Sequence, residues 1–384
     1  MKSRTLPGII LLTSLSGNIA AQSLPATAPE SEDPVTQWLS DRSLRLNPPQ
    51  TTLTWKFAHP APPTSLLPPI WQAGFDWLTT VTSGAIEMKV YGSGSLYGTV
   101  GGVKALRAGV ADYGTCYTVG EANGFELLKT FQAPYVAPAN PYLTFRIINE
   151  LMPTYLRQEF NARGVYPAHV AVVRPLTLMS REAIRVPADL KGKKVVSFMT
   201  MPSMATRLGY AEVRMPFTEI YTALQQGLID AVIWIDMGFV PFRIYEQAKF
   251  YTVLNIAPTT LETCFNPQSF DALPAALKPI VYDFQQQVGV SVVHETEKFA
   301  NRARDLLSDQ GVTIIEPDEA ARALWKEAML PVREDWLQQC EAAGKPCRKL
   351  VTDIDRLVKQ YEGLSNAELM ERSIKQPVPG IIDF

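Results

Sequence analysis

The residues that could perform acid–base or nucleophilic chemistry are few and form no recognisable catalytic set. His59 follows an alternating apolar segment and is a candidate general base, but no nucleophile can be named as its partner. Residues 92–95 (Gly-Ser-Gly-Ser) lack the flanks of a nucleophile elbow and the Gly-Lys-Ser/Thr ending of a phosphate-binding loop. His169 and His294 show no metal-ligand spacing. The sequence therefore predicts no catalytic residue, metal or cofactor, and a secreted hydrolase is the weaker hypothesis.

A second set of side chains predicts a binding cleft. In open α/β sheets, ligands lie beyond the carboxyl ends of the strands. Small-molecule sites are typically apolar and aromatic, with a few polar anchors. Residues of these types recur at or near predicted strand ends: His59, Tyr97, Thr115, Tyr117, Arg174, Phe198, Phe217, Trp234 and Asp236. We expect these residues to bind a small molecule.

The elements that must position these residues follow a repeated strand–helix order. Apolar patterns predict strands at 53–58, 86–91, 112–117, 165–173, 194–198 and 231–235. From Pro274 onward the chain is mostly helical, most clearly over residues 297–307 and 319–330. This order predicts an α/β fold with two lobes rather than one large sheet.

The composition predicts an exported globular chain. Its 384 residues are 46% hydrophobic, which is enough for a large core and two lobes. Residues 1–21 have the basic, apolar and small-residue order of a secretory signal peptide. Residues 22–50, rich in Pro, Ser, Thr and Ala, predict a flexible leader. The chain shows no basic patch, which argues against a nucleic-acid partner.

Four cysteines remain after the predicted cleavage. Cys340 and Cys347 flank a turn-forming stretch, and an oxidising compartment favours a disulfide between them. Cys116 and Cys264 are far apart in sequence, and either fits the role of a small buried apolar residue.

Several segments resemble one protein family. Residues 189–194 (Asp-Leu-Lys-Gly-Lys-Lys) and 215–231 resemble the signature of DctP-type solute-binding proteins of tripartite ATP-independent periplasmic (TRAP) transporters. Residues 132–135 and 242–250 are similar to two further segments of that family. The resemblance implies a two-lobed periplasmic-binding-protein-like clamshell with mixed sheets and long C-terminal helices. It also implies capture of an organic acid in the periplasm for sodium-driven membrane permease subunits.

The sequence departs from the family pattern at two positions. Val196 stands where the family has an Arg that pairs with the ligand carboxylate, and Val cannot make charge-assisted hydrogen bonds. Trp234 matches a subset that binds oxo acids near a metal, but Ile233 replaces the Glu of that subset, and Asp236 is the available substitute. Arg174 is the alternative anchor if it faces the cleft. If it points outward, the aromatic pocket favours a neutral or stacked solute with a flat or apolar body.

The resemblance also suggests a division of the chain. We expect lobe I over residues 51–173 plus 254–296, lobe II over 174–253 plus 297–348, and a C-terminal helix and tail over 349–384. A receptor that presents its ligand to a sensor is the alternative within binding proteins. The oligomeric state stays open, with a dimer as one option.

Overall fold

The computed structural model describes residues 33–46, 51–118, 121, 123–199 and 201–384. The predicted signal peptide over 1–21 lies outside the described residues, as do residues 22–32 and 47–50 of the predicted leader. Within the described ranges, no helix has the length and apolar character needed to cross a membrane.

The first part of the chain alternates strands and helices, as its apolar patterns predict. Its elements are α1 (Pro34–Ser40), β1 (Leu53–Ala58), α2 (Leu67–Val81), β2 (Ile86–Tyr91), α3 (Gly102–Arg107), β3 (Tyr113–Thr115), α4 (Glu126–Thr130), α5 (Pro141–Leu151), α6 (Arg157–Ala162) and β4 (Tyr166–Val173). Proline and side-chain caps set several helix starts. At α5, for example, the Asn140 side chain accepts hydrogen bonds from two backbone N–H groups and Pro141 occupies the first turn.

The second part of the chain begins with short strands and ends in long helices. Its elements are β5 (Thr177–Ser180), β6 (Lys194–Ser197), α7 (Met204–Leu208), β7 (Ala211–Glu212), α8 (Ile220–Gln225), β8 (Ala231–Trp234), α9 (Asp236–Phe239), β9 (Phe250–Thr252), β10 (Thr259–Phe265), α10 (Pro267–Asp271), α11 (Lys278–Asp309), β11 (Thr313–Ile315), α12 (Glu319–Ala342), α13 (Cys347–Tyr361) and α14 (Asn366–Lys375).

Two mixed sheets organise the molecule into two lobes. The sheet of lobe I has the strand order β2-β1-β3-β10-β4, and β10 runs antiparallel to both of its neighbours. The sheet of lobe II has the order β11-β9-β5-β8-β6-β7. In lobe II, β6 and β8 are parallel neighbours, so their carboxyl ends lie side by side. The two-lobed α/β fold with mixed sheets and long C-terminal helices is confirmed.

Two long helices connect the lobes. Helix α11 packs on β4 and α2 of lobe I and then on α9 and β11 of lobe II. Its 32 residues run without a break through position 296, where the sequence-based division places a lobe boundary. Helix α12 also contacts both lobes, because Trp325 donates to the Arg185 carbonyl and Trp336 donates to Thr130. Both lobes therefore pack against the same two helices, α11 and α12.

The structure differs from the predicted flexible leader over residues 33–46. Helix α1 lies in this stretch and begins at Pro34, where the Asp33 side chain accepts from two backbone N–H groups. Trp38 is buried, and its ring lies 5.0 Å from that of Trp77. Burial of the Trp38 side chain supplies the apolar contact that orders this segment, although its composition alone predicts a flexible leader.

The C-terminal region contains two helices rather than the single predicted helix. After α13 and α14, the tail packs on lobe I, with Val378, Ile381 and Ile382 buried. The Val378 backbone N–H donates to Gln286 Oε1 at 2.8 Å, and the Ile381 N–H donates to the Tyr282 hydroxyl at 3.0 Å. The tail is thus part of the core of lobe I.

All four cysteines are in disulfides. Cys340 and Cys347 are bonded and link α12 to α13, as predicted. Cys116 and Cys264 are buried, as expected, but they are also bonded to each other, a disulfide that the sequence did not predict. Residues distant in sequence meet here because β3 and β10 are adjacent antiparallel strands, with Cys264 opposite Gly114.

Candidate functional site

One wall of the candidate site is built from four aromatic rings of lobe II. Phe198 follows the carboxyl end of β6, Trp234 is the last residue of the parallel strand β8, and their rings stack at 4.9 Å. Phe217 lies 6.0 Å from Trp234, and Phe242 lies 5.6 Å from the same indole. We call Phe198, Phe217, Trp234 and Phe242 the aromatic wall.

Lobe I supplies the opposite, more polar wall. Thr260 and Glu262 are two residues apart on β10, so both side chains project from one face of the strand. Tyr117 lies just beyond β3, and the loop after β1 adds Pro60, Ala61 and Pro62. Leu176, between β4 and β5, closes the site at the connection between the lobes.

A cavity of about 220 Å³ lies between the two walls and is partly open to solvent. A dry cavity of about 150 Å³ is large enough to hold benzene. The space therefore fits a six-membered ring that carries a small substituent. An aromatic wall facing a few polar side chains is the usual composition of a small-molecule site.

A hydrogen-bonded group that we call the Glu262 network forms the polar part of the cavity. Gln132 Nε2 donates to Thr260 Oγ1 at 2.6 Å, and the Thr260 hydroxyl donates to Glu262 Oε1. The Thr118 backbone N–H donates to Glu262 Oε2 at 3.0 Å. Burial raises the pKa of Glu262, while the hydrogen bonds from Thr260 and Thr118 act in the opposite direction.

Four of the predicted ligand-binding residues line this cavity, namely Tyr117, Phe198, Phe217 and Trp234. Three others support its walls without lining it. The Tyr97 hydroxyl donates to the Ala58 carbonyl at 2.8 Å, and Thr115 is buried in β3. His59 is buried with its ring 4.9 Å from that of Trp71, and desolvation lowers its pKa. A histidine packed in this way faces the core rather than a reacting solute.

Arg174 does not lie in the cavity. Its Nε donates to Glu297 Oε1 at 2.8 Å and its Nη2 donates to Glu297 Oε2 at 3.0 Å, with Asn301 as a further acceptor. The structure therefore differs from the sequence-based hypothesis of a carboxylate anchor at this position. A bidentate pair with Glu297 occupies the guanidinium that the anchor would require. Val196 is buried in the core of lobe II.

Asp236 lies beneath the aromatic wall rather than in it. The carboxylate accepts hydrogen bonds from the Tyr251 hydroxyl and from Thr177 Oγ1, the latter at 3.2 Å. Burial raises the pKa of Asp236. Across the part of the chain that the structure describes, no group of three or more His, Cys, Asp or Glu side chains is placed to hold a metal.

Sequence reasoning missed Gln132, Thr260, Glu262 and Phe242 as lining residues. Glu262 carried a usable signal, because a lone acidic residue interrupts the apolar and hydroxyl-bearing strand over 259–265. Phe242 and Gln132 each begin a segment that resembles the family. The sequence around them does not show whether their side chains line a cavity or pack in the hydrophobic core.

Comparison with known proteins gives the same fold. The curated C4-dicarboxylate-binding periplasmic protein DctP of Rhodobacter capsulatus is 23% identical over 276 residues, 68% of this chain and 79% of that protein. A TRAP solute-binding protein of Rhodoferax ferrireducens, solved with copurified benzoate, has a TM-score of 0.74 at 22% identity and covers 80% of this chain and 98% of its own.

A marine metagenome TRAP solute-binding protein specific for aromatic acid ligands, solved with 3-hydroxybenzoate, also has a TM-score of 0.74. It is 21% identical and covers 82% of this chain and 100% of its own. The family model described as "Bacterial extracellular solute-binding protein, family 7" (DctP) matches residues 76–339, most of the chain. The chain therefore belongs to the DctP family of bacterial extracellular solute-binding proteins.

Proposed function

We propose that this chain is the periplasmic receptor of a TRAP transporter and captures an organic acid with an aromatic or otherwise bulky body. The observation that carries the proposal is the cavity between the lobes, where the aromatic wall faces the polar residues of β10. Stacking on Trp234 suits a flat solute, because aromatic rings attract one another beyond simple area burial. The solved relatives that hold benzoate and 3-hydroxybenzoate support the same ligand class.

Capture then requires the lobes to close around the solute. The lobes are joined by the segments between β4 and β5 and between β9 and β10, and by helices α11 and α12. A solute that touches both walls binds the closed form more tightly than the open one, and this difference shifts the population toward closure. The closed receptor then delivers the acid to membrane permease subunits, which use a sodium gradient to drive uptake.

A thermal-shift screen tests the ligand class. The panel contains benzoate, 3-hydroxybenzoate, mandelate, succinate and an uncharged sugar, applied to the mature chain. A ligand that binds only the folded state raises the melting temperature, so we expect the aromatic acids to give the largest shifts. Trp234→Phe keeps a stacking surface, whereas Trp234→Ala removes it and is expected to abolish the shift. A larger shift with succinate or the sugar than with every aromatic acid contradicts the proposal.

Transport and location need separate measurements. Membrane vesicles that contain the membrane subunits of a candidate TRAP permease should take up labelled acid only with the receptor and a sodium gradient present. Uptake without the receptor contradicts the transport role. Fractionation of cells that express the full chain should place it in the periplasm, and deletion of residues 2–21 should retain it in the cytoplasm.

A further inference from the structure

In the part of the chain that the structure describes, the cavity offers no side-chain cation to a carboxylate. Among the residues that the structure describes, the side chains that line the cavity include no Lys, Arg or His. The internal positions outside the described ranges, 47–50, 119, 120, 122 and 200, carry no Lys, Arg or His in the sequence either. An organic acid that enters this site must therefore be held in a way that does not depend on an ion pair with the lining.

Arg174 and Lys129, two cations that do not line the cavity, already have partners. Arg174 is paired with Glu297. Lys129 on α4 is buried, and its Nζ donates to the Glu121 carbonyl at 2.6 Å. Burial lowers the pKa of Lys129, while the carboxyl groups of Glu126, Glu262, Glu121 and Glu159 act in the opposite direction.

Glu262 is the one acidic residue among the described lining residues, and its side chain is 1% exposed. Two ionised carboxylates in contact repel each other strongly, so a solute carboxylate and an ionised Glu262 cannot share a small apolar cavity. Two carboxyl groups that hold one proton between them form a stable pair, as the paired aspartates of aspartic proteases do.

We propose that Glu262 and the carboxyl group of the bound acid share one proton, so that Glu262 replaces the cationic anchor. This inference rests on the proposed capture of an organic acid. When Glu262 is protonated in the empty protein, its carboxyl group donates directly to the solute carboxylate. When Glu262 is ionised, one proton enters from solvent as the acid binds. No bond other than the hydrogen bond between the two carboxyl groups is made.

The surroundings of Glu262 are compatible with both protonation states. Thr260 and Gln132 supply the hydrogen-bond chain to Oε1, and the Thr118 N–H supplies the bond to Oε2. The charged or titratable groups that face it from neighbouring elements are Lys129 on α4 and Tyr117 after β3. Burial raises the pKa of Glu262, because the buried site disfavours the ionised carboxylate, while its hydrogen bonds act in the opposite direction.

The test is the pH dependence of affinity, measured by calorimetry with benzoate between pH 5.5 and 9.5. At each pH the binding enthalpy is measured in two buffers of different ionisation enthalpy. The difference between the two values gives the number of protons taken up on binding. In the wild type, affinity should fall as pH rises, approaching about ten-fold per pH unit above the pKa of Glu262 in the empty protein, with uptake approaching one proton. Glu262→Gln removes the titrating group, so its affinity should be independent of pH and no proton should be taken up.

Two controls make the result specific. Glu159 is a second buried glutamate, and burial raises its pKa to about 7, but it lies outside the cavity and accepts from the Leu127 and Leu128 N–H groups. Glu159→Gln should keep the pH dependence of the wild type. Benzamide, the uncharged counterpart of benzoate, should bind the wild type without proton uptake.

The outcomes separate this inference from the proposed function. Unchanged affinity for benzoate at every pH in Glu262→Ala, which removes the donor in either protonation state, overturns the shared proton and leaves the organic-acid receptor standing. A pH-dependent wild-type affinity that persists in Glu262→Gln does the same. If benzoate, 3-hydroxybenzoate and mandelate fail to bind at every pH while benzamide or an aromatic amine binds, both the shared proton and the acid class are wrong.

Discussion

At the scale of single residues, the candidate site depends on the position of Trp234. Three of the aromatic contacts in the wall involve its indole. The indole rests directly on Gly238 of α9, where no side chain intervenes. The position of the stacking surface is therefore set by one glycine that the sequence gives no reason to single out.

Gly238→Ala should displace the indole. A Cβ built at this position would lie 2.3 Å from Trp234 Cε3, closer than atoms can approach without a shift. We expect affinity for the bound acid to fall by about ten-fold, with overpacking lowering the free energy of unfolding by about 1–3 kcal/mol. Calorimetry and chemical denaturation give the two quantities. Gly363→Ala is the control, because no atom lies within 4 Å of its Cβ. Unchanged affinity in Gly238→Ala would contradict the role of the indole.

His169 should make the stability of lobe I sensitive to acid. It is fully buried in β4, and desolvation lowers its pKa to about 3. In the unfolded chain His169 binds a proton near pH 6.5, whereas in the folded protein it stays neutral until much lower pH. The free energy of unfolding is therefore unaffected by His169 above pH 6.5 and decreases as pH falls from 6.5 toward 3. This loss amounts to about 1.4 kcal/mol per pH unit.

Chemical denaturation at pH 7 and pH 4.5 measures the effect. Other acidic groups also titrate in this range, so the comparison is between the wild type and His169→Gln rather than between two pH values. The variant should lose less free energy of unfolding on acidification than the wild type. Equal losses in the two proteins would show that His169 does not carry the dependence.

At the scale of elements, the neighbouring strands β3 and β10 build the polar wall. The Cys116–Cys264 disulfide joins them directly beside Glu262, and the Cys116 backbone N–H donates to the Glu262 carbonyl at 3.0 Å. The ladder between β10 and β4 shifts register between Glu262 and Cys264, an irregularity often found beside functional sites. The disulfide therefore fixes the relative positions of Tyr117, Thr118 and the Glu262 carboxyl group.

The two disulfides should contribute unequally to stability. They close sequence separations of 148 and 7 residues, and the entropy removed from the unfolded chain grows with that separation. On the chain-entropy account, replacing both cysteines by Ser should cost about 5 kcal/mol for Cys116–Cys264 and about 2 kcal/mol for Cys340–Cys347.

Denaturation of the two double variants checks the order of these losses. The Cys116/Cys264 variant should also bind the acid more weakly, because the Glu262 network loses its fixed register. The Cys340/Cys347 variant is the matched control and should keep wild-type affinity, since it lies away from the cavity lining. A larger loss of stability in the control pair would contradict the entropic account.

At the scale of the whole molecule, the connections between the lobes determine how the cavity opens and closes. Arg174 lies in the segment between β4 and β5, and its partners Glu297 and Asn301 lie on α11. This ion pair holds the connecting segment against a helix that packs on both lobes. Arg174 is not among the residues that line the cavity, and its observed contacts are with α11.

Arg174→Ala should lower the free energy of unfolding by about 1–3 kcal/mol, because it removes charge-assisted hydrogen bonds from partly buried groups. Affinity for the acid should change by less than about three-fold, well under the ten-fold step of 1.4 kcal/mol. Lys298→Ala is the matched control, since its pair with Glu295 lies on the same helix and is more exposed. A large loss of affinity with unchanged stability would restore Arg174 as a ligand anchor.

The sequence by itself determined the fold class and the aromatic half of the site. Alternating and apolar runs in the sequence predicted the strands that end near Phe198 and Trp234. Such a prediction is possible because side chains alternate between the two faces of a strand, so the residues that become buried recur locally in the sequence. The C-terminal disulfide was also local, since Cys340 and Cys347 flank one turn.

Only the tertiary structure decided the polar half of the site and the partners of Arg174. Glu262 meets Thr118 and Gln132, and Cys116 meets Cys264, across separations that no local pattern encodes. Arg174 pairs with Glu297 for the same reason. A strand's sequence pattern determines on which face each side chain lies, but the packing of distant segments determines which residue lies opposite it. The physical cause is that side-chain direction is local, whereas charge pairing and burial depend on which elements are brought together.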